Sequence, residues 1–331
     1  MRAVVRTRYG PPELLRLTDV ETPRPKAGDV LVEVGAVSLN RSDWETLRGK
    51  PLYARLNGPF RPRYGVLGSD VAGRVVSVGP GVTGFEPGDE VFADNLARMG
   101  GFAEYVCVPQ DALARMPAGM TYEEAACLPQ AGAIALQGIL GEGRAEPGRR
   151  VLVNGAGGGT GMYAVQLAKL HGAEVTGVDN AEKLEFMRSL GADHVIDHTR
   201  EDFTRTGRTY DLVLDLVAHR SAFAYRRALA PGGRYLFVGG STATLFQVLL
   251  LGPVLGRRTG RKVRILVVRQ GAGRLGPLVE LCRAGTVTTV IDRRYRLSEV
   301  PEALRYVGEG HARGKVVVVP DRDAPRPPAG P

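Results

Sequence analysis

A β-branched run that ends in a glycine-rich turn and continues as a helix constrains this chain more than any other feature. Arg150-Val-Leu-Val-Asn154 is followed by Gly155-Ala156-Gly157-Gly158-Gly159-Thr160-Gly161 and then by an apolar stretch to Lys169. Strand, tight turn and helix in that order bring free backbone N–H groups and the positive end of a helix dipole to one point, which is how a pyrophosphate is held. The register is Ala156-x-Gly158-x-x-Gly161, with alanine where the first glycine of a dinucleotide turn usually stands. A glycine turn alone is a weak signal, because ordinary strand-to-helix turns also use glycine. Its context is more specific. Ala173 to Val178 reads as a second strand that closes on Asp179, about twenty residues on, where an acid accepting hydrogen bonds from a ribose is expected.

The same alternation continues downstream. A helix over Ala181 to Leu190, strands at His194 to Ile196 and Asp211 to Leu216, a helix to Ala230, Pro231-Gly232-Gly233 feeding a strand at Arg234 to Val238, and a last run at Val263 to Val268 complete six strands. Parallel strands with helical crossovers form an α/β, doubly wound sheet whose ligand lies across the carboxyl ends, at the switch point. The first 120 residues differ in texture: short β-rich runs (Ala3 to Arg6, Val30 to Val37, Asp70 to Val78, Gly88 to Phe92, Phe102 to Val108) are broken by Pro and Gly. That punctuation predicts an antiparallel, barrel-like unit. Lys315 to Val319 is one more β-branched run, far beyond the six, and is expected to return to the first unit. The organisation that follows is a discontinuous catalytic domain (residues 1–123 and 291–320) around a nucleotide-binding domain (residues 124–290), a cleft between them, and a disordered, Pro-rich tail (residues 321–331).

Composition narrows the classes. A chain of 331 residues exceeds one ordinary core. Its longest apolar stretch, Thr244 to Leu255, is interrupted by Gln247 and Pro253 and is too short to span a bilayer, and the first residues lack an export signal. Thr244 to Leu255 reads either as a core helix or as a lid or interface helix that gives the cleft an apolar wall for a hydrophobic small-molecule substrate. Cys107, Cys127 and Cys282 are too widely spaced for a disulfide framework or a metal motif, so a cytoplasmic protein is expected. The net charge of +9 includes one basic cluster, Arg257-Arg258-Thr-Gly-Arg261-Lys262-Val-Arg264. The other basic residues are scattered among acids without interleaved aromatics, which favours a solvated surface attractive to anionic cofactors over a nucleic-acid site.

Several stretches together carry a resemblance: Arg8-Tyr-Gly-Pro-Pro-Glu13, Val37-Ser-Leu-Asn40-Arg-Ser-Asp43, Leu67-Gly68-Ser69-Asp70-Val-Ala-Gly73, Phe85-Glu-Pro-Gly-Asp89-Glu-Val-Phe92, the glycine turn, Ser189-Leu-Gly-Ala-Asp193-His-Val-Ile-Asp197, Phe237-Val-Gly239-Gly240-Ser241 and His311-Ala-Arg-Gly-Lys315. Over nearly its whole length the chain resembles zinc-free medium-chain dehydrogenases/reductases, in the quinone oxidoreductase (zeta-crystallin-like) branch. The resemblance implies a GroES-like catalytic domain, a Rossmann domain, NAD(P)H as cofactor, usually a homodimer, and Lys315 beside the cofactor. Val263 to Val268, as the last strand and hence a sheet edge, fits pairing with a second copy.

The residues argue against zinc. A catalytic zinc needs three protein ligands, typically Cys and His, and an open position. No histidine precedes His171, and the first unit contains only Cys107. Where zinc-dependent relatives have a cysteine and a Gly-His-Glu, this chain has Asn40 and Gly68-Ser69-Asp70, and it passes from Phe92 to Phe102 with no room for a cysteine-rich lobe. Hydride addition to a simple ketone leans on a Lewis acid, whereas quinones and enones are already electrophilic and need only hydrogen-bond donors at the carbonyl. The expected reaction is hydride transfer from a reduced nicotinamide to a quinone or an activated alkene. A zinc-free alcohol dehydrogenase or ketone reductase, and a dinucleotide-binding protein with a non-catalytic role, are the alternatives.

Candidate catalytic residues are Asn40 and Tyr53 as donors and Asp43 as a brace, with Trp44 on an apolar wall. In relatives a threonine sits near the nicotinamide; the matching residue here is Ile134. Candidate cofactor-binding residues are Gly155, Ala156, Gly158, Gly159, Gly161, Asp179, Lys183, His198, Gly239, Gly240, Ser241 and Lys315. Asp179 favours NADH, because a 2′-phosphate beside it meets like charge. NADPH users in the family resemble this chain at Lys183, which is basic in them too, but carry a small residue matching Asp179 and a tyrosine matching His198.

Overall fold

The computed structural model describes residues 1–56, 58–255 and 260–321. The six downstream runs pair as one parallel sheet. In spatial order its strands are His194–Asp197, Glu174–Asp179, Arg150–Asn154, Tyr210–Asp215, Leu229–Phe237 and Lys262–Ile265. The order reverses on either side of Arg150–Asn154, so the carboxyl ends of Arg150–Asn154 and Tyr210–Asp215 face the crevice where open α/β sheets bind ligands. Strands buried on both faces are expected to be continuous apolar runs, and Val151, Leu152 and Val153 are all fully buried. Tyr163 and Leu167, from the helix Gly159–Leu170, belong to the core cluster of one face, while Tyr225 and Tyr235 belong to that of the other. Pro231-Gly232-Gly233 lies inside Leu229–Phe237 rather than ahead of it, at a register shift in the pairing with Tyr210–Asp215.

A seven-stranded sheet carries the other unit. Asp29–Ser38 is its spine, pairing antiparallel with Asp70–Val78, Tyr105–Pro109 and Lys315–Val319. Ile291–Arg296 runs parallel to Lys315–Val319 at the edge, so strands from beyond the parallel sheet complete the sheet that Asp29–Ser38 opens, while Arg2–Val5 pairs with Arg16–Asp19 in a separate two-stranded sheet. A parallel bridge between Gly158 and Gly314, with the Gly314 N–H donating to Gly157 O at 3.0 Å, ties this returning segment to the glycine turn.

Three sequence expectations change. Asp321, read as part of a disordered tail, is buried, and its carboxylate accepts the Ser298 N–H at 3.2 Å; residues 322–331 lie outside the described residues. The helix Thr242–Leu255 buries only Thr244, Val248 and Gly252, so it is no core helix. Phe246, Leu249, Leu250 and Val254 are exposed, and none of the helix lines the cleft, so it gives that cleft no apolar wall either. Trp44, expected on a cleft wall, packs instead against Gly308, where an added Cβ would stand 2.1 Å from its ring. Of the basic cluster, Arg257 and Arg258 lie outside the described residues, and Arg264 pairs with Glu142 at 2.9 Å.

Candidate cofactor and substrate cleft

Between the two sheets lies a cleft of about 840 Å³. The glycine turn forms one wall, with Gly155, Gly158, Gly159 and Thr160 lining it. Gly155 sits at φ +88°, a conformation that favours glycine. Gly159 is glycine for a different reason: a Cβ there would stand 2.5 Å from the aliphatic stem of Lys315. Gly159–Leu170 starts at this wall, and the first N–H groups of a helix have no intrahelical partner. A cradle without side chains at the positive end of a twelve-residue helix fits a pyrophosphate. Ala156 and Gly161, grouped with these residues from sequence, do not line the cleft. Ala156 is fully buried with its N–H on Val178 O at 3.1 Å, and Gly161 packs on the turn's own backbone.

Beside the glycine turn the cleft is built on Asp179. Its carboxylate accepts N–H groups from Gly157 at 3.0 Å and Asn180 at 2.9 Å, and it pairs with Lys183 Nζ at 3.4 Å. Asp179, Asn180, Lys183 and His198 all line the cleft. Arg200 is turned to Asp197 at 3.6 Å. At the far side Gly239 lines the cleft, but Ser241 does not: its N–H donates to Ala218 O at 2.7 Å and its hydroxyl caps the next helix through the Thr244 N–H at 3.1 Å. Gly240 contributes its carbonyl, which accepts the Tyr53 hydroxyl at 3.1 Å across the cleft.

The first unit supplies a compact polar floor. Asn40 precedes the helix Arg41–Arg48, and its side-chain oxygen accepts Lys315 Nζ at 2.8 Å. The same ammonium donates to Leu39 O at 3.2 Å and stands 3.9 Å from Asp70 Oδ2. The Lys315 ammonium is thus turned to this floor, although its residue lines the cleft. Asp43 is fully buried, accepts N–H groups from Asn40 at 2.8 Å and Gly68 at 3.3 Å, and does not line the cleft. Burial raises its pKa to about 6 against those hydrogen bonds, and its place is that of a brace rather than of a group facing substrate. Asp70, also fully buried, accepts the Gln130 N–H at 3.1 Å, and burial holds its pKa well above the usual carboxylate range despite Lys315. Among the described residues, no group of three or more His, Cys, Asp or Glu side chains is arranged to hold a metal ion.

Sequence reasoning missed Glu45, Gln130, His219 and Arg220, all of which line the cleft. Glu45 is one helical turn beyond Arg41, 3.7 Å from its guanidinium, and lies beside Tyr53, whose hydroxyl is given to Gly240 O. Burial pushes the Glu45 carboxyl up to about 7 and, with Glu45 beside it, the Tyr53 hydroxyl up to about 12. The helical spacing of Asn40, Arg41 and Glu45 was the available signal. His219 and Arg220 are held by a network at the carboxyl end of Tyr210–Asp215. Their N–H groups donate to the Tyr225 hydroxyl at 3.1 and 3.0 Å, beside the buried Asp215. Asp215 also accepts Asn154 Nδ2 at 2.7 Å and the Tyr235 hydroxyl at 2.9 Å.

Two family models match: residues 26–118 fit an alcohol dehydrogenase GroES-like domain and residues 190–318 a zinc-binding dehydrogenase. A chloroplastic quinone-oxidoreductase of Triphysaria versicolor is 34% identical, over 97% of this chain and 98% of its own. A chloroplastic NADPH-dependent alkenal/one oxidoreductase of Arabidopsis thaliana is 33% identical, over 97% of this chain and 80% of its own. The solved quinone oxidoreductase of Coxiella burnetii superposes with a TM-score of 0.87 at 29% identity, covering 96% of this chain and 99% of the other.

The Asp215 network generates a pH signature. Burial raises the folded-state pKa of Asp215 from 3.8 to about 6, so between those values the folded chain keeps a proton that the unfolded chain releases. Stability linked to Asp215 is therefore greatest below pH 3.8 and falls as pH rises to about 6. Asp215→Asn should remove a decline on the order of 3 kcal/mol over that window, read from urea unfolding at pH 4 and pH 7. An unchanged pH dependence would refute the assignment.

Proposed function

The chain belongs to the medium-chain dehydrogenase/reductase family, in its quinone oxidoreductase branch, and from that premise we propose that it reduces quinones or conjugated enones with hydride from NAD(P)H, without a catalytic metal. One observation carries the reading. The side-chain-free glycine cradle at a helix N-terminus opens on the same cleft as Asn40, Tyr53 and Gln130, so a dinucleotide and hydrogen-bond donors for a carbonyl share one enclosure. A reduced nicotinamide supplies the hydride. The pyrophosphate is assigned to Gly155, Gly158, Gly159 and Thr160, the ribose to Asp179, and the nicotinamide end to Gly239 and Ile134.

The absence of a metal from the mechanism is supported by what stands at the ligand positions. Asn40 and Ser69 offer an amide and a hydroxyl, and the Lys315 ammonium already stands 2.8 Å from Asn40 Oδ1 and 3.9 Å from Asp70. A second cation there would meet like charge in a buried site. Quinones and enones suit such a site, because conjugation supplies the electrophilicity that a simple ketone lacks. Tyr53 is the proton donor in this reading, and Glu45, which lines the same cleft beside it, is the proton reservoir.

The reading is tested by oxidation of NADH and NADPH against a panel of quinones and enones. Turnover is expected, unaffected by chelation, with a rate that falls as pH rises through about 7, where Glu45 loses its proton. Glu45→Gln should abolish that limb. About one zinc per chain, with activity lost on chelation, would overturn the metal-free mechanism, and binding of cofactor without turnover of any panel member would overturn the function.

Between the cofactors, NADH is proposed as the better substrate. Asp179 lines the cleft, and although its oxygens already accept the Gly157 and Asn180 N–H groups and pair with Lys183, a carboxylate oxygen has a further lone pair for a ribose hydroxyl, whereas a 2′-phosphate would meet like charge. Asp179→Ser should raise kcat/KM for NADPH relative to NADH by at least roughly tenfold, about 1.4 kcal/mol. A wild-type preference for NADPH of that size would sink the inference.

A homodimer is proposed from the far side of the same domain. The exposed Phe246, Leu249, Leu250 and Val254 lie on the helix packed beside the edge strand Lys262–Ile265, and Val267 just past that strand is 80% exposed. An apolar face next to an unpaired strand edge favours pairing across a two-fold axis. Light scattering should give twice the chain mass at micromolar protein, and Phe246→Glu with Leu250→Glu should give the monomer. A monomeric wild type contradicts the assignment.

A further inference from the structure

Gln130 carries a buried polar atom that the fold leaves without a partner. Its side-chain nitrogen Nε2 has no hydrogen bond among the described residues, although Gln130 lines the cleft. The rest of the residue is fully engaged. Its backbone N–H donates to Asp70 Oδ2 at 3.1 Å, and its side-chain oxygen accepts the Ser42 hydroxyl at 2.8 Å. Ser42 thereby orients the amide, with Oε1 on the protein and Nε2 left over. Buried amide N–H groups are satisfied almost everywhere in proteins, so an orphan on the wall of a binding cleft marks a ligand's place. One other cleft residue has an unpaired buried atom: Asn180 Oδ1, an acceptor beside Asp179 at the ribose end. Gln130, a donor, stands with Asn40 and Asp70 at the opposite, chemical end.

We propose that Gln130 Nε2 donates a hydrogen bond to the carbonyl oxygen of the substrate and so polarises it, the role a Lewis-acidic metal plays in a metal-dependent site. The assignment rests on the quinone or enone reductase reading above. As hydride adds to the acceptor, the π electrons move toward the carbonyl oxygen, which becomes an enolate or hydroquinone oxyanion, and the N–H···O bond strengthens with that charge. Gln130 gives up no proton. Protonation of the anion completes the reduction, and the nicotinamide is left oxidised.

The test compares wild type with Gln130→Leu, Gln130→Met and Gln130→Glu. The backbone N–H that serves Asp70 is present in all of them, and Met matches the length of Gln should the Leu variant fail to fold. The first readout is the C=O stretching frequency of a carbon-13-labelled enone bound in the presence of oxidised cofactor, by isotope-edited infrared difference spectroscopy. The second is kcat, with cofactor affinity from nicotinamide fluorescence as the control. Wild type should lower the stretching frequency, and the apolar variants should lose that shift. Their kcat should fall roughly 100-fold or more with cofactor affinity unchanged, as for removal of one oxyanion donor. Gln130→Glu, which places a carboxylate against the developing charge, should fall at least as far. An apolar variant that keeps the frequency shift and a kcat within about twofold of wild type overturns the assignment while leaving the reductase reading intact. A wild type that turns over no quinone or enone overturns both.

Discussion

A buried ammonium holds the cleft together. Lys315 is 2% exposed, and a lysine so placed persists only if its charge is answered by oxygens. Leu39 O, Asn40 Oδ1 and Asp70 provide them from the first unit, while the side chain's aliphatic stem lies against Gly159 of the glycine turn. One residue therefore touches both walls, and its strand, Lys315–Val319, is hydrogen-bonded to the spine of the seven-stranded sheet. The neighbouring Gly314 bonds Gly157, so the returning chain and the nucleotide turn are fixed to each other by backbone as well.

Around it, buried carboxylates work as braces. Asp43 gathers N–H groups from Asn40 and Gly68, Asp70 takes one from Gln130, and Asp215 holds Asn154 and Tyr235. Each sits where the chain leaves regular structure beside the cleft and has orphan donors to satisfy. Desolvation raises the pKa of each, so these groups stabilise geometry most when they need not carry full charge. The groups that line the cleft differ in kind: Tyr53, Gln130 and Glu45 are partly buried side chains, and the Tyr53 hydroxyl reaches Gly240 O.

A metal-dependent site concentrates positive charge at one point, whereas the mechanism proposed above spreads the task over several weaker donors. A lysine buried in the floor orients Asn40, Ser42 orients Gln130, and Gly240 orients Tyr53. Preorganised donors of this kind need no reorganisation when charge develops, which is the condition under which hydrogen bonds contribute most to a transition state. The arrangement suits acceptors whose own conjugation carries part of the electrophilic demand.

Much of this architecture was legible in the order of residues. β-branched runs separated by helical spacing point to a parallel sheet covered by helices on both faces, the glycine turn points to the doubly wound kind, and Asp179 stands at a strand end whose position follows from that turn. The distant run Lys315 to Val319 could be assigned to the first sheet because the six-strand sheet was already complete. Local patterning does not encode which side chains meet across hundreds of residues. Only the folded chain aims the Lys315 ammonium at Asn40 rather than at the cofactor wall, sets Gln130 against Ser42, withdraws Ser241 into a helix cap and turns Trp44 away to pack on Gly308. It also separates Asp43, sealed beneath the floor, from Glu45, two residues on and lining the cleft, a distinction set by how the helix Arg41–Arg48 packs. Periodicity determines which faces are buried, because that is a property of each segment alone; the chemistry of the cleft depends on pairs of side chains from different segments, and tertiary packing decides those.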